Sequence, residues 1–227
     1  MTDLVVPRAI VFDMDGLLLD TERLARTTFE VACERHGVIV DRTLYHRCIG
    51  TSVDDTREIL RGALGVAQYD RISRDWAGLY EAHVTTRAVA VKDGAIELLD
   101  LARRLDLPMA LATSTRTDLA NTKLRLAGLD GYFSHIVGGD AVTRTKPHPE
   151  PYLTATRAIG FLAHECWAVE DSDIGVRAAH AAGLFVCQVP DLVQPSVAAR
   201  ALGHTIVDSL HDVARLLADR AARRTVT

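Results

Sequence analysis

Four places in this sequence gather residue types that could work on one substrate. Asp13-Met14-Asp15-Gly16 sets two carboxylates directly after a short apolar run, Ala9-Ile10-Val11-Phe12. Thr113-Ser114 follows Met109 to Ala112, and Glu170-Asp171-Ser172-Asp173 follows Trp167 to Val169. Lys146-Pro147-His148-Pro149 stands ahead of a helical pattern. Each piece also has a plain structural use. Acids end strands and open turns, and Ser172 with Asp173 suits a helix N-terminus. Their order along the chain favours a site, because ligands of open α/β sheets bind beyond the carboxyl ends of the strands.

Crowded together, Asp13, Asp15, Glu170 and Asp171 would repel one another and raise their pKa values. A hard divalent cation removes that cost. Oxygen donors without His or Cys select Mg²⁺ rather than zinc. Phosphoryl transfer needs an in-line nucleophile, positive charge on the equatorial oxygens and a proton for the leaving group. A metal, a lysine, a threonine hydroxyl and backbone N–H groups supply that charge and polarity.

The elements that must hold these residues are legible as well. The apolar runs named above recur at Ile136 to Val137, Leu184 to Val189 and, more weakly, Thr205 to Val207. Continuous apolar runs suit parallel strands buried on both faces. Helical patterns lie between them at Ala95 to Leu105, Asp118 to Ala127, Pro149 to Ile159 and Asp173 to Ala182, with Gly128, Gly160 and Gly183 at helix ends. Alternation of this kind predicts a doubly wound, mostly parallel α/β sheet with right-handed crossovers.

Residues 18–90 break the rhythm, because helix follows helix with no strand. Leu24, Thr28, Val31 and Ala32 share one face of a first helix ending at Gly37. Ser52 and Asp55 form a capping box for a second, to about Leu64. Ile72, Trp76, Leu79, Tyr80 and His83 make a stripe on a third. Such a stretch is too long for a loop. It predicts a helical cap, 18–90, inserted in a core made of 1–17 and 91–227, with hinges near Leu17–Asp20 and Val89–Gly94. The tail from Asp219 to Thr227 reads as a fraying, solvated end.

The sequence resembles the haloacid dehalogenase-like hydrolase superfamily, in the branch of phosphoglycolate phosphatases, sugar-phosphate phosphatases and β-phosphoglucomutases. The matching residues are Asp13 to Glu22 (DMDGLLLDTE), Leu111 to Thr115 (LATST), Lys146 to Tyr152 (KPHPEPY) and Val169 to Gly175 (VEDSDIG). The resemblance implies a Rossmann-like core and gives each residue a role. Asp13 would be the nucleophile and Asp15 the acid and base. Mg²⁺ would sit on the Asp13 carboxylate, the Asp15 carbonyl and Asp171, with Glu170 direct or through water. Thr113, Lys146 and the Ser114 N–H would take the phosphoryl oxygens. Asp15 favours phosphate esters over carbon–halogen bonds, since a departing halide needs no proton. The absence of lysine between Leu18 and Ala90 removes a phosphonate hydrolase, which needs a cap lysine. Mutase-like members carry a histidine and an arginine where this chain has Ala25 and Val53, which argues for hydrolysis over a β-phosphoglucomutase-like transfer.

Substrate choice is expected from the cap. Candidate readers are Thr21, Glu22, Arg116 and the turn His46 to Ser52, where Arg47 fits a solvated helix end equally well. Trp76, Tyr80 and His83 read as packed cap residues. A phospho-accepting receiver switch is the alternative of another class, opposed by the helical insertion and by the aspartate's place on the first strand. With 26 basic against 30 acidic side chains, net charge -4, the chain has no long-range pull on nucleic acid or an anionic membrane. It shows no membrane-length apolar run and no signal peptide. Four cysteines without a CxxC pair suggest reduced thiols. A cytoplasmic enzyme acting on a small-molecule phosphate ester, as monomer or homodimer, is the expectation.

Overall fold

The computed structural model describes residues 6–39, 42–49 and 53–224; the side chains of Arg42, Val53 and Arg224 are not described. Six strands form one parallel sheet in the order β3-β2-β1-β4-β5-β6. They are β1 (Ala9–Phe12), β2 (Met109–Ala112), β3 (His135–Val137), β4 (Cys166–Glu170), β5 (Phe185–Gln188) and β6 (Thr205–Ile206). The apolar runs fall on these strands to within a residue or two. Central β1 pairs Ile10 with Met109 on one side and Ala9 with Cys166 on the other.

Its four residues are fully buried because helices cover both sheet faces. Ile10 and Phe12 join Leu98 and Leu99 of α5 (Ala95–Arg104) and Val213 and Leu217 of α10 (Leu210–Arg224). Ala9 and Val11 face the other way, towards Tyr152 and Ala155 of α7 (Glu150–Ala158) and Val176 and Ala179 of α8 (Asp173–Ala182). Burial of each large side chain contributes about 1.5–3 kcal/mol. The fifth core helix of interest is α6 (Thr117–Ala127), which ends in the left-handed Gly128. Because α10 runs on to Arg224, the supposed fraying tail is helical through Asp219, Arg220 and Arg223, with Asp219 and Arg223 exposed. Chain reversal beside β1 opens a crevice between β1 and β4, at the strands' carboxyl ends.

Between β1 and α5 lie α1 (Thr21–Arg35), α2 (Arg42–His46), α3 (Val53–Leu64) and α4 (Val66–Thr86). They bury a small apolar centre of their own, with Phe29, Ala32, Tyr45, Leu60 and Ile72. Trp76 meets Phe29 edge-on at 5.0 Å between ring centroids. Val31, placed on the inner face by its spacing, is 37% exposed, and Phe29 takes the inward position instead. Short α2 was not foreseen, and Ser52 of the expected capping box lies outside the described residues. The two connections run side by side. Asp20 N–H donates to the Ala90 carbonyl at 2.9 Å, and Lys92 N–H to the Leu18 carbonyl at 2.9 Å.

Candidate active site

Asp13 continues β1, its N–H donating to the Val169 carbonyl at 3.0 Å. That bond fixes its main chain beside the end of β4. Asp13 is 6% exposed. Burial, reinforced by Glu170 and Asp15 and opposed by Lys146, pushes the Asp13 carboxyl up to about 8. Lys146 donates to Asp13 Oδ1 and to Glu170 Oε1, at 2.6 Å each. Burial opposes the charge on this ammonium, but the two carboxylates beside it raise its pKa above the usual lysine value.

Glu170 is fully buried and saturated by the protein. Its Oε1 also accepts from Tyr152 Oη at 2.7 Å. Its Oε2 accepts from the Asp171 and Ser172 N–H groups at 3.1 and 3.2 Å and from the Ser172 hydroxyl at 3.1 Å. Asp171 is different. Burial, then Glu170 and Asp13, hold its carboxyl well above the usual range. It lies against Gly16, whose φ of 87° and lack of a Cβ permit the approach. Carboxylate oxygens of Asp13, Glu170 and Asp171 lie within 4.8 Å of one another, so the cluster could hold a metal ion. An oxygen-only set with two acids forced above their normal pKa suits a hard divalent cation. The Asp15 carboxylate is not among these three.

Instead, Asp15 turns towards β2 and α6. Its Oδ1 accepts from Lys123 Nζ at 2.8 Å, and its Oδ2 from the Thr115 and Thr113 hydroxyls at 2.7 and 3.3 Å. Burial opposes its ionisation, but the Lys123 charge and these hydrogen bonds outweigh it and hold its pKa below the ordinary carboxylate value. The sequence expectation of a raised pKa therefore fails at Asp15, because a cation was missed. Lys123 lies on the buried stripe of α6 between Ala120 and Ala127 and is 2% exposed. One signal could have found it. Among 26 basic residues only Lys92, Lys123 and Lys146 are lysine. All three sit on carboxylates, Lys92 donating to Asp191 at 2.5 Å.

A cavity of about 590 Å³ opens over these groups. Asp13, Asp15, Thr113, Ser114, Lys146 and Asp171 line its floor, and Glu22, Ala25, Tyr45, Tyr69 and Trp76 come from the helical insertion. Trp76, read as core, is thus also wall. Burial, helped by Asp15 and Asp191, lifts the Glu22 carboxyl to about 7. Three expected readers are elsewhere. Arg116 is exposed and pairs with Asp118 at 2.5 Å, and Arg47 is exposed off the cavity wall. Thr21 is 3% exposed beneath the wall, its hydroxyl near Asp15 without a hydrogen bond of good geometry. Gly50, Thr51 and Ser52 of the expected turn lie outside the described residues.

A family model, haloacid dehalogenase-like hydrolase, matches residues 10–189, most of the chain. The chain belongs to that family. Among curated relatives, it is 31% identical to the phosphorylated carbohydrates phosphatase of Thermotoga maritima over 176 residues, covering 78% of this chain and 82% of the relative. Among solved structures, a HAD family hydrolase from Deinococcus radiodurans with bound phosphate and sodium superposes with a TM-score of 0.81 at 25% identity, covering 96% and 97% of the two chains. A putative β-phosphoglucomutase from T. maritima gives 0.76 at 27%, covering 93% and 98%. The chain is an enzyme of the phosphatase kind within the haloacid dehalogenase-like family, and its six-stranded core is that family's fold. Among the described residues no helix is long and apolar enough to cross a membrane.

Proposed function

We propose that the chain is a Mg²⁺-dependent phosphatase that hydrolyses a small phosphate monoester with an uncharged, hydroxyl-bearing leaving group, a sugar or polyol phosphate, through a phospho-aspartate on Asp13. One observation carries this reading. At the floor of one cavity, two carboxylates two residues apart turn to different partners: Asp13 joins Lys146, Glu170 and Asp171, a group that could hold a metal ion, and Asp15 turns to Thr113, Thr115 and Lys123. The carboxylate in the candidate metal cluster is placed to attack phosphorus once a bound cation offsets its burial, and the one outside that cluster is free to move protons.

Asp13 attacks phosphorus, and the bond to the leaving oxygen breaks. Asp15 gives that oxygen its proton, then takes a proton from the water that cleaves the acyl phosphate. Lys123 and the hydrogen-bond donors around Asp15 favour its ionised form. A phosphate dianion beside it raises its pKa and lets it arrive protonated. Lys146, Thr113 and the Ser114 N–H orient the phosphoryl oxygens. Asp13, Asp171 and the Asp15 main-chain carbonyl would hold Mg²⁺, with Glu170, committed to Lys146 and Tyr152, steering behind them. Bound there, the ion supplies the charge that offsets the crowded acids and the phosphoryl group.

Residues 18–90 serve as a cap that excludes water and reads the leaving group. Among the described residues lining the cavity, Lys146 is the one Lys or Arg side chain. Among the described residues the lining offers no second Lys or Arg to pair with a second phosphate or a carboxylate, and Ala25 occupies the wall where a mutase would place its histidine. That favours hydrolysis over phosphoglucomutase-type transfer, and a polyol over a phosphoglycolate-like substrate. The phosphorylated carbohydrates on which the T. maritima relative is named to act have such leaving groups.

The test is a panel of phosphate esters with and without Mg²⁺, including p-nitrophenyl phosphate, sugar phosphates, phosphoglycolate and β-glucose 1-phosphate with a trace of the 1,6-bisphosphate, followed by phosphorus NMR. Inorganic phosphate should be the main product, preferentially from sugar or polyol esters, and EDTA should abolish its release. Full activity after exhaustive chelation, or glucose 6-phosphate accumulating faster than inorganic phosphate, overturns the reading.

A further inference from the structure

The resemblance gives no task to the most deeply buried cation outside the phosphoryl-binding group. Lys123 projects from the inner stripe of α6, and its ammonium would cost several kcal/mol if left unpaired there. Its three protons have three acceptors: Asp15 Oδ1 at 2.8 Å, the Tyr80 hydroxyl at 3.0 Å and Thr115 Oγ1 at 3.4 Å. Tyr80 belongs to α4 of the helical insertion, which packs on α6, and the ammonium lies 5.2 Å from its ring centroid. Lys123 is absent from the cavity wall, so whatever it does to a substrate passes through Asp15.

Two arguments separate this contact from mere stabilisation. A buried ion pair adds little that an apolar pair of the same volume would not add, whereas it fixes orientation strongly. The chain also reserves lysine for carboxylates around this edge and uses arginine for the rest of its basic residues. Thr115 holds the other oxygen of Asp15 at 2.7 Å, so the carboxylate is clamped from both sides.

We propose that Lys123 is a positioning residue for the proton-transfer step, holding the Asp15 carboxylate in line with the leaving-group oxygen and transmitting the seating of α4 to it through Tyr80. The inference rests on the reading of Asp15 as acid and base. When α4 sits on α6, Tyr80 locks the ammonium and the ammonium locks the acid. When α4 moves away, one of the three anchors is lost and the acid is free to turn.

The experiment measures alcohol release in a single turnover, with Mg²⁺, for Lys123→Met, Lys123→Arg and Tyr80→Phe. Two esters are compared: p-nitrophenyl phosphate, whose leaving group departs without a proton, and a sugar phosphate that the wild type turns over. Lys123→Met should lose at least tenfold more rate on the sugar ester than on the aryl ester, with KM changed less than threefold. Lys123→Arg should recover part of that loss, and Tyr80→Phe should shift the ratio in the same direction by less. In an Asp15→Asn background, Lys123→Met should cost less than threefold further, because the two groups act as one unit. Equal losses on both esters, or losses that simply multiply with Asp15→Asn, overturn the proposal. If Lys123→Met does not fold, Tyr80→Phe decides alone, and an unchanged ratio refutes the proposal. A wild type that hydrolyses neither ester overturns the phosphatase reading, and this inference with it.

Discussion

Asp13→Asn should inactivate the enzyme and stabilise its metal-free fold. Asparagine closely matches the shape of a protonated aspartate, so the variant reports what ionising Asp13 costs. Its carboxyl moves from an ordinary value of 3.8 to about 8. At about 1.4 kcal/mol per pH unit the ceiling is about 5–6 kcal/mol. Relaxation, water entry and the lost attraction to Lys146 reduce it, and about 1–3 kcal/mol is the expected gain at pH 8. That corresponds to a Tm higher by about 2–12 °C in a chain of this size. Between pH 3.8 and about 8 the folded chain keeps a proton that the unfolded chain has released, so wild-type stability falls as pH rises through this window. The variant has no such proton, and its advantage should therefore be small near pH 5 and largest at pH 8. Urea and thermal unfolding in EDTA measure it at both values. Added Mg²⁺ should reverse the order by stabilising the wild type alone. No gain at pH 8, or the same gain at both pH values, refutes the electrostatic reasoning.

Two other substitutions probe the support around the acids. Gly16→Ala forces a Cβ onto the Asp171 carboxylate at a φ of 87°, and should lower kcat at least tenfold and weaken Mg²⁺ activation while the chain still unfolds cooperatively. Tyr152→Phe removes a 2.7 Å hydrogen bond to fully buried Glu170, and urea unfolding should show a loss of about 1–3 kcal/mol.

The core was legible in the sequence because parallel strands covered on both faces leave uninterrupted apolar runs, and β1 and β2 start and end as those runs do. The floor residues at the strand ends were legible because they follow or end such runs, and Lys146 because it stands just ahead of a helical pattern. The helical insertion was read less well. On a half-buried helix a one-position shift separates Val31 from Phe29, and spacing alone does not say which side chain faces in. Arg116 sits one residue beyond Thr115, close enough in sequence to invite a substrate role. At the start of α6, Asp118 two residues on captures it. Lys123 stayed hidden for a different reason. Helical patterning assigns lysine to the solvated face, and only the count of lysines in the chain argues otherwise.

The two-residue spacing of Asp13 and Asp15 has a geometric cause that also explains their opposite electrostatics. Met14 between them is fully buried in the same apolar cluster as Phe12, anchoring the turn from below while its neighbours stand at the crevice. Asp13 leans to the β4 side, into Lys146, Glu170 and Asp171. Asp15 leans to the β2 side, into Thr113, Thr115 and Lys123. Each carboxylate thus has its own lysine, delivered by a different crossover segment, yet only Asp13 shares its lysine with other acids. Crowding therefore raises Asp13, while donors that serve Asp15 lower it. Switch-point topology, with β1 flanked by strands reached in opposite directions, is what allows two adjacent carboxylates to take different duties.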